Sequence, residues 1–213
     1  MNRTQPRWKH HRVIHSKYPP IDVFESPDHL ILGELESATS DRVVNWPRYV
    51  LEEDYRAGEG WGAVMASFCY PAEGRFNTAS RGAYYAGDCL ETALREWAHH
   101  TGKVWQGFGV GNDFSAVVRC YTGHVTKLLV DVRGQPEYRR ATDYQPGQQL
   151  AAELLSAGEY GILYSSVRSP GAEAVALLRP PATTPVTQAG HYVLAWNGRQ
   201  FTQYAHIDAY HAL

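Results

Sequence analysis

The chain has 213 residues, 44% of them hydrophobic and 20% charged, enough to bury a real core in one domain and too apolar for wholesale disorder. Its formal charge of −2 and pI near 6.5 give no electrostatic reason for nucleic acid as a partner. No apolar run reaches the roughly 20 residues that span a bilayer. The polar, basic N-terminus has no apolar segment of a secretory signal, so a cytoplasmic protein is expected. Cys69, Cys89 and Cys120 are odd in number and widely spaced, which reads as three buried reduced thiols, neither a disulfide framework nor a metal site.

In chain order, residues 1–11 read as a loose basic start and Arg12–His15 as a short strand, broken by Pro19-Pro20. Pro27-Asp28-His29 opens a helix predicted through Ser37. Residues 40–60 read as an irregular charged insert, with a short helix over Arg48–Tyr55. The apolar run Ala63–Tyr70 is a buried strand or a tightly packed helix.

The helix that starts at Asp88 has the clearest signal. Asp88 and Glu91 fit a capping box, Leu90, Ala93, Leu94, Trp97 and Ala98 form an apolar stripe, and Gly102 is a stop. Glu96 falls on the flank of that stripe, at the rim of whatever the helix packs on. Histidines at 99 and 100 read as partly exposed residues at the helix end.

Further on, Val125–Val132 is rich in β-formers and Tyr144–Ser156 reads as a helix ending near Gly158. Gly161–Ser165, Ala174–Leu178 and Tyr192–Trp196 are predicted strands, and Asn197-Gly198 a hairpin turn into Phe201–Tyr204. Pro180–Pro185 reads as a surface loop. With strands clustered late and no regular βαβ alternation, α+β is expected, with mixed or antiparallel sheets flanked by helices.

No phosphate loop, GxSxG elbow or HExxH is present, and the glycines of 107–111 lack the strand and helix of a dinucleotide fingerprint. Glu96 and His100 share a helix face but have no third ligand at metal spacing, so no metal site is expected. Singly, Arg12, Arg75, Tyr85, Glu96 and Ser166 would pass as ordinary structural residues. Together and in order they form a pattern: Arg12-Val13-Ile14 with Tyr18-Pro19-Pro20 and Phe24-Glu25, Gly74-Arg75-Phe76-Asn77, Ala83-Tyr84-Tyr85-Ala86, Glu91-Thr92-Ala93-Leu94-Arg95-Glu96, Gly161 to Arg168, and the Arg179-Pro180 strand exit.

That pattern resembles the RES domain family, the toxins of Xre–RES toxin–antitoxin pairs. The resemblance implies an ADP-ribosyltransferase-like fold over the whole chain and degradation of NAD, by phosphorolysis or hydrolysis, with transfer of ADP-ribose to protein as the alternative enzyme activity. An inactive interaction module is the alternative of another class. It implies Glu96, Arg75 and Tyr85 as catalytic residues, with Arg12, Ser166 and Ser165 binding substrate. Phe76 stands where the family commonly has Trp, and Ser165 where it has Pro, which leaves two serines to choose between. Tyr84 is expected on the opposite strand face from Tyr85. NAD is then a substrate rather than a prosthetic group, phosphate a possible co-substrate, an Xre-type antitoxin the partner, and a homodimer the possible assembly.

Chemically, breaking the nicotinamide–ribose bond builds positive charge on the ribose. Glu96 can stabilise that charge, Arg12 and Arg75 can fork onto the pyrophosphate, and Tyr85 can face the cationic ring.

Overall fold

The computed structural model describes residues 1–16 and 46–208, so the helix expected over 27–37 and the matches at Tyr18–Pro20 and Phe24-Glu25 lie outside the described residues. Nine strands form one sheet in the order β1-β5-β6-β7-β3-β2-β4-β8-β9. They are β1 (Arg3–Thr4), β2 (Lys9–His15), β3 (Tyr84–Gly87), β4 (Asn112–His124), β5 (Leu129–Asp131), β6 (Gly161–Ser165), β7 (Glu173–Leu177), β8 (Thr187–Asn197) and β9 (Phe201–Ile207). Among the described strands only β5 and β6 run parallel. Among the described residues three α-helices pack on the sheet: α1 (Gly62–Cys69), α2 (Leu90–Gly107) and α3 (Gln145–Ser156). The architecture is α+β, as expected.

The sheet is two ladders joined at one point. β2 pairs with β4 over seven residues, from Lys9 opposite His124 to His15 opposite Val118. With β3 it shares one pair, His11 opposite Gly87. Gly87 lets α2 start close against β3, because a Cβ there would press within 2.7 Å of Thr92 Cγ2.

β6 and β7 are buried on both faces, which is why they read as unbroken apolar runs. Leu163, Val175 and Leu177 join Val64, Met65 and Phe68 of α1, with Tyr84 and Leu129. Ile162, Tyr164, Ala174 and Ala176 pack against Leu150 and Ala151 of α3 and against Phe76. A third cluster holds Ala93 and Leu94 of α2 on Val13, Val118, Cys120 and Leu194.

Several elements depart from the sequence reading. The first eleven residues are not loose: Arg3 and Thr4 pair with Val130 and Leu129, and Trp8 Nε1 donates to Glu173 Oε2 at 2.9 Å. In place of a helix over Arg48–Tyr55 there are two 3-10 turns, Trp46–Arg48 and Glu52–Asp54. The second is pinned by a buried fork in which Arg179 Nε and Nη2 donate to Asp54 at 2.6 and 2.8 Å. Ala63–Tyr70 resolves as helix. β4, thirteen residues long, is an element that the sequence reading lacks, although Ala116, Val118, Cys120 and Thr122 alternate inward.

Helix α2 begins at Leu90, with Cys89 rather than Asp88 as its cap residue. Asp88 instead accepts from Thr92 Oγ1 and from the Glu173 backbone N–H, both at 2.8 Å, and so ties the helix start to β7. The helix does not stop at Gly102. Its last turns are held by Trp105, 5.4 Å from Trp196 and 5.0 Å from Phe201, while a Cβ at Gly102 would touch the Trp196 ring at 3.5 Å. Packing overrides the breaker. Pro180–Pro185 is not a surface loop either, since Pro180, Ala182 and Thr183 are buried. Cys69 and Cys120 are buried thiols, but Cys89 is half-buried beside Thr92.

His10 is fully buried, bonded through Nε2 to Thr183 Oγ1 at 2.7 Å and edge-on to Tyr84. Burial first, then the neighbouring His11, His124 and Arg12, pull its pKa down to about 3. The unfolded chain therefore takes up a proton near pH 6.5 that the folded chain refuses, so stability is full above that pH and falls as pH drops toward 3. Denaturant midpoints measured at pH 7 and pH 5 should differ in the native protein, and by less in a His10→Asn variant. Equal differences would remove His10 as a source.

Candidate functional site

Where β2 and β3 part, a cavity of about 750 Å³ opens, lined by residues 11–15 of β2 and 85–87 of β3. Arg12, Arg75, Tyr85 and Glu96 all line it. Ser165 and Ser166 do not, and their bonds separate them. Ser165 donates to the Arg133 carbonyl at 3.2 Å, on the other side of the strand end. Ser166 is 1% exposed and donates to Glu96 Oε1 at 2.7 Å.

The Ser166 hydroxyl is fixed from behind. It accepts the backbone N–H groups of Arg168 at 3.2 Å and Ser169 at 3.1 Å, in a turn that follows β6. Two donors occupy its lone pairs, so its one proton is aimed at Glu96. With both lone pairs taken by backbone N–H groups, the Oγ is held to orient a carboxylate rather than to attack.

Arg12 Nη1 donates to the Tyr85 carbonyl at 2.9 Å, replacing the ladder bond lost where the strands diverge. Its guanidinium lies 4.7 Å over the Tyr84 ring, and its buried Nε has no partner among the described residues. Burial draws the Arg12 pKa below its ordinary value, the cost of keeping a cation where water is scarce. Tyr84 is buried on the α1 face and Tyr85 packs toward the α3 face, the alternation expected of neighbours on a strand.

Tyr85 Oη accepts the Phe76 N–H and donates to Asn77 Oδ1, each at 2.8 Å. Burial raises its pKa, so it stays a neutral phenol. The turn of residues 74–77 is closed by a Gly74–Asn77 backbone pair and clamped by Gln148 Nε2 of α3, 3.1 Å from each of their carbonyls. Gly147 is required there, because a Cβ would run into the Arg75 carbonyl. Phe76 fills the core 5.0 Å from the Tyr164 ring, so an apolar ring does the anchoring at that position.

Arg75 Nη1 donates to the carbonyls of Tyr138 at 3.0 Å and Arg140 at 2.6 Å, with Tyr144 5.2 Å beneath the guanidinium. Sequence reading missed Arg119, Tyr121, Tyr144, Arg168 and His100, which also line the cavity. Arg119 and Tyr121 sit on the unassigned β4, opposite Ile14 and Arg12. His100, expected as a partly exposed residue at the helix end, lies inside a helix that runs on to Gly107 and lines the cavity one turn after Glu96. Arg168 lay within the quoted run after Ser166, and only the turn brings it round.

The pattern that defines the RES domain matches residues 51–197, well over half of the chain. Among solved structures, that of the M.tuberculosis MbcT-MbcA toxin-antitoxin complex is similar, with 12% identity and a TM-score of 0.47. That likeness covers 92% of this chain and 87% of the other. No curated protein matches the sequence.

The Tyr85 hydroxyl ties the turn that carries Arg75 to the sheet. A Tyr85→Phe variant leaves the buried Phe76 N–H without its acceptor, at a cost of about 1–3 kcal/mol. A lowered urea midpoint at unchanged slope is the expected reading, and an unchanged midpoint would mean that water or a shifted backbone replaces the bond.

Proposed function

Because the chain belongs to the RES domain family, we propose that it is the NAD-degrading toxin of a toxin–antitoxin pair, cleaving the nicotinamide–ribose bond with phosphate, or secondarily water, as acceptor. One observation carries this reading: the Glu96 carboxylate, oriented by Ser166 at 2.7 Å, faces a cavity that also presents Arg12, Arg75 and Tyr85.

The chemistry asks little acid catalysis of the protein, since nicotinamide leaves neutral. The barrier lies in the positive charge that grows on the ribose. A carboxylate held in place before the reaction stabilises that charge without reorganising, in a cavity where the field is less screened than in water. Ser166 supplies the fixity. Tyr85, its hydroxyl locked at both lone pair and proton, offers a ring face to the cationic nicotinamide. Arg12 and Arg119 are diagonal neighbours across the β2–β4 ladder and suit the two phosphates of the dinucleotide.

In the toxin role, the partner would be an antitoxin of Xre type that covers this cavity, and the toxin would act in the cytoplasm. Purified protein incubated with NAD, with and without inorganic phosphate, should release nicotinamide. Glu96→Ala should lower kcat about 100- to 1000-fold in a sample that is still folded at the assay temperature. A folded sample that releases no nicotinamide in either condition would overturn the proposal, and label transferred from NAD to protein would reassign the acceptor.

A further inference from the structure

The cavity is lined by four guanidiniums, Arg12, Arg75, Arg119 and Arg168, against two carboxylates, Glu73 and Glu96. One pyrophosphate satisfies two arginines. The arginines also fall into two pairs by position. Arg12 lies over Tyr84, and Tyr121, opposite Arg12, packs with Tyr84 against α1. Arg119 is two residues from Tyr121 and shares its face. Arg75 and Arg168 belong to the other side, with α3 and Glu96.

The second pair is brought together by backbone. Arg75 Nη1 donates to the Arg140 carbonyl at 2.6 Å and Arg168 Nη2 to the next one, Ala141, at 3.2 Å. Two like charges anchored on adjacent carbonyls repel each other. Among the described residues neither is in an ion pair. Among the described residues Glu96 is in no ion pair with them, and its Oε1 accepts from Ser166. The cationic field reaches α2, where His99 is lowered to about 4 by burial first and then by Arg168, Lys103 and His100. His99 Nε2 is buried there without a hydrogen-bond partner among the described residues, and His100 lines the cavity one helical turn from Glu96.

We propose that Arg75 and Arg168, with His100 beside Glu96, form a second anion site that seats the hydrogen phosphate to which the ribosyl group is transferred. This rests on the NAD-cleaving reading above and separates Arg75 from Arg12, which sequence reading had grouped on the pyrophosphate. A phosphate oxygen forms the new bond to the anomeric carbon of the nicotinamide ribose as the carbon–nitrogen bond breaks. The bonding pair goes to the ring nitrogen, nicotinamide leaves neutral, and the phosphate keeps its proton. No oxidant, reductant or base is needed, and the product is ADP-ribose 1″-phosphate.

The test is a titration of inorganic phosphate into the full-length protein with NAD, reading nicotinamide and the ratio of ADP-ribose 1″-phosphate to ADP-ribose. Arg168→Gln should raise the KM for phosphate at least ~10-fold more than the KM for NAD, the effect of one lost charge-assisted hydrogen bond, and shift product toward ADP-ribose. Arg168→Lys should recover part of the phosphate affinity, and His100→Gln should move phosphate KM in the same direction with Arg168 intact. Nicotinamide release by the native protein at a rate independent of phosphate would sink this inference while leaving NAD cleavage standing, as would variants whose two KM values move together. No release at all would sink the parent reading instead.

Discussion

The site depends on a sheet that comes apart. β2 leaves β3 after one residue pair, and the carbonyl that this orphans, on Tyr85, is taken by the Arg12 guanidinium at 2.9 Å. A buried carbonyl without a donor costs free energy comparable to a lost hydrogen bond, so the arginine side chain that reaches across the split stabilises it. The same residue thereby holds the cleft open and places a cation in its wall. One side chain thus serves the backbone and lines the cavity.

Around that opening, positions are fixed by short chains of hydrogen bonds rather than by ion pairs. Two backbone N–H groups hold Ser166, and Ser166 holds Glu96. Gln148 holds the turn, Tyr85 holds Phe76 and Asn77, and backbone carbonyls hold Arg75. Contrast the fork of Arg179 on Asp54, which neutralises its charge and belongs to the scaffold. Carbonyl anchoring orients an arginine without cancelling it. The cavity therefore keeps a positive excess, which favours anions.

Much of this was legible in the chain. The apolar stripe of α2 was clear from Leu90 to Ala98, and with it the flank position of Glu96. Gly161–Ser165 and Ala174–Leu178 read as strands because both their faces are buried. The order Arg75, Tyr85, Glu96, Ser166 pointed to a shared site, and the first three do line one cavity, with Ser166 bonded to the third. What failed were local signals overruled by distant partners. Gly102 reads as a stop, yet Trp196 and Phe201, about a hundred residues away, carry the helix through it. Asp88 reads as a cap, yet β7 claims its carboxylate.

The sequence alone settled the residue types and their order, because helix and strand periods and turn chemistry are properties of neighbours along the chain. Which of two adjacent serines meets Glu96, and where Arg119, Arg168 and His100 converge, were decided by tertiary structure. Those relations join residues far apart in number, through a turn after β6, a β4 strand paired along β2, and a helix packed on β2 and β3. No local pattern encodes a distance of that kind.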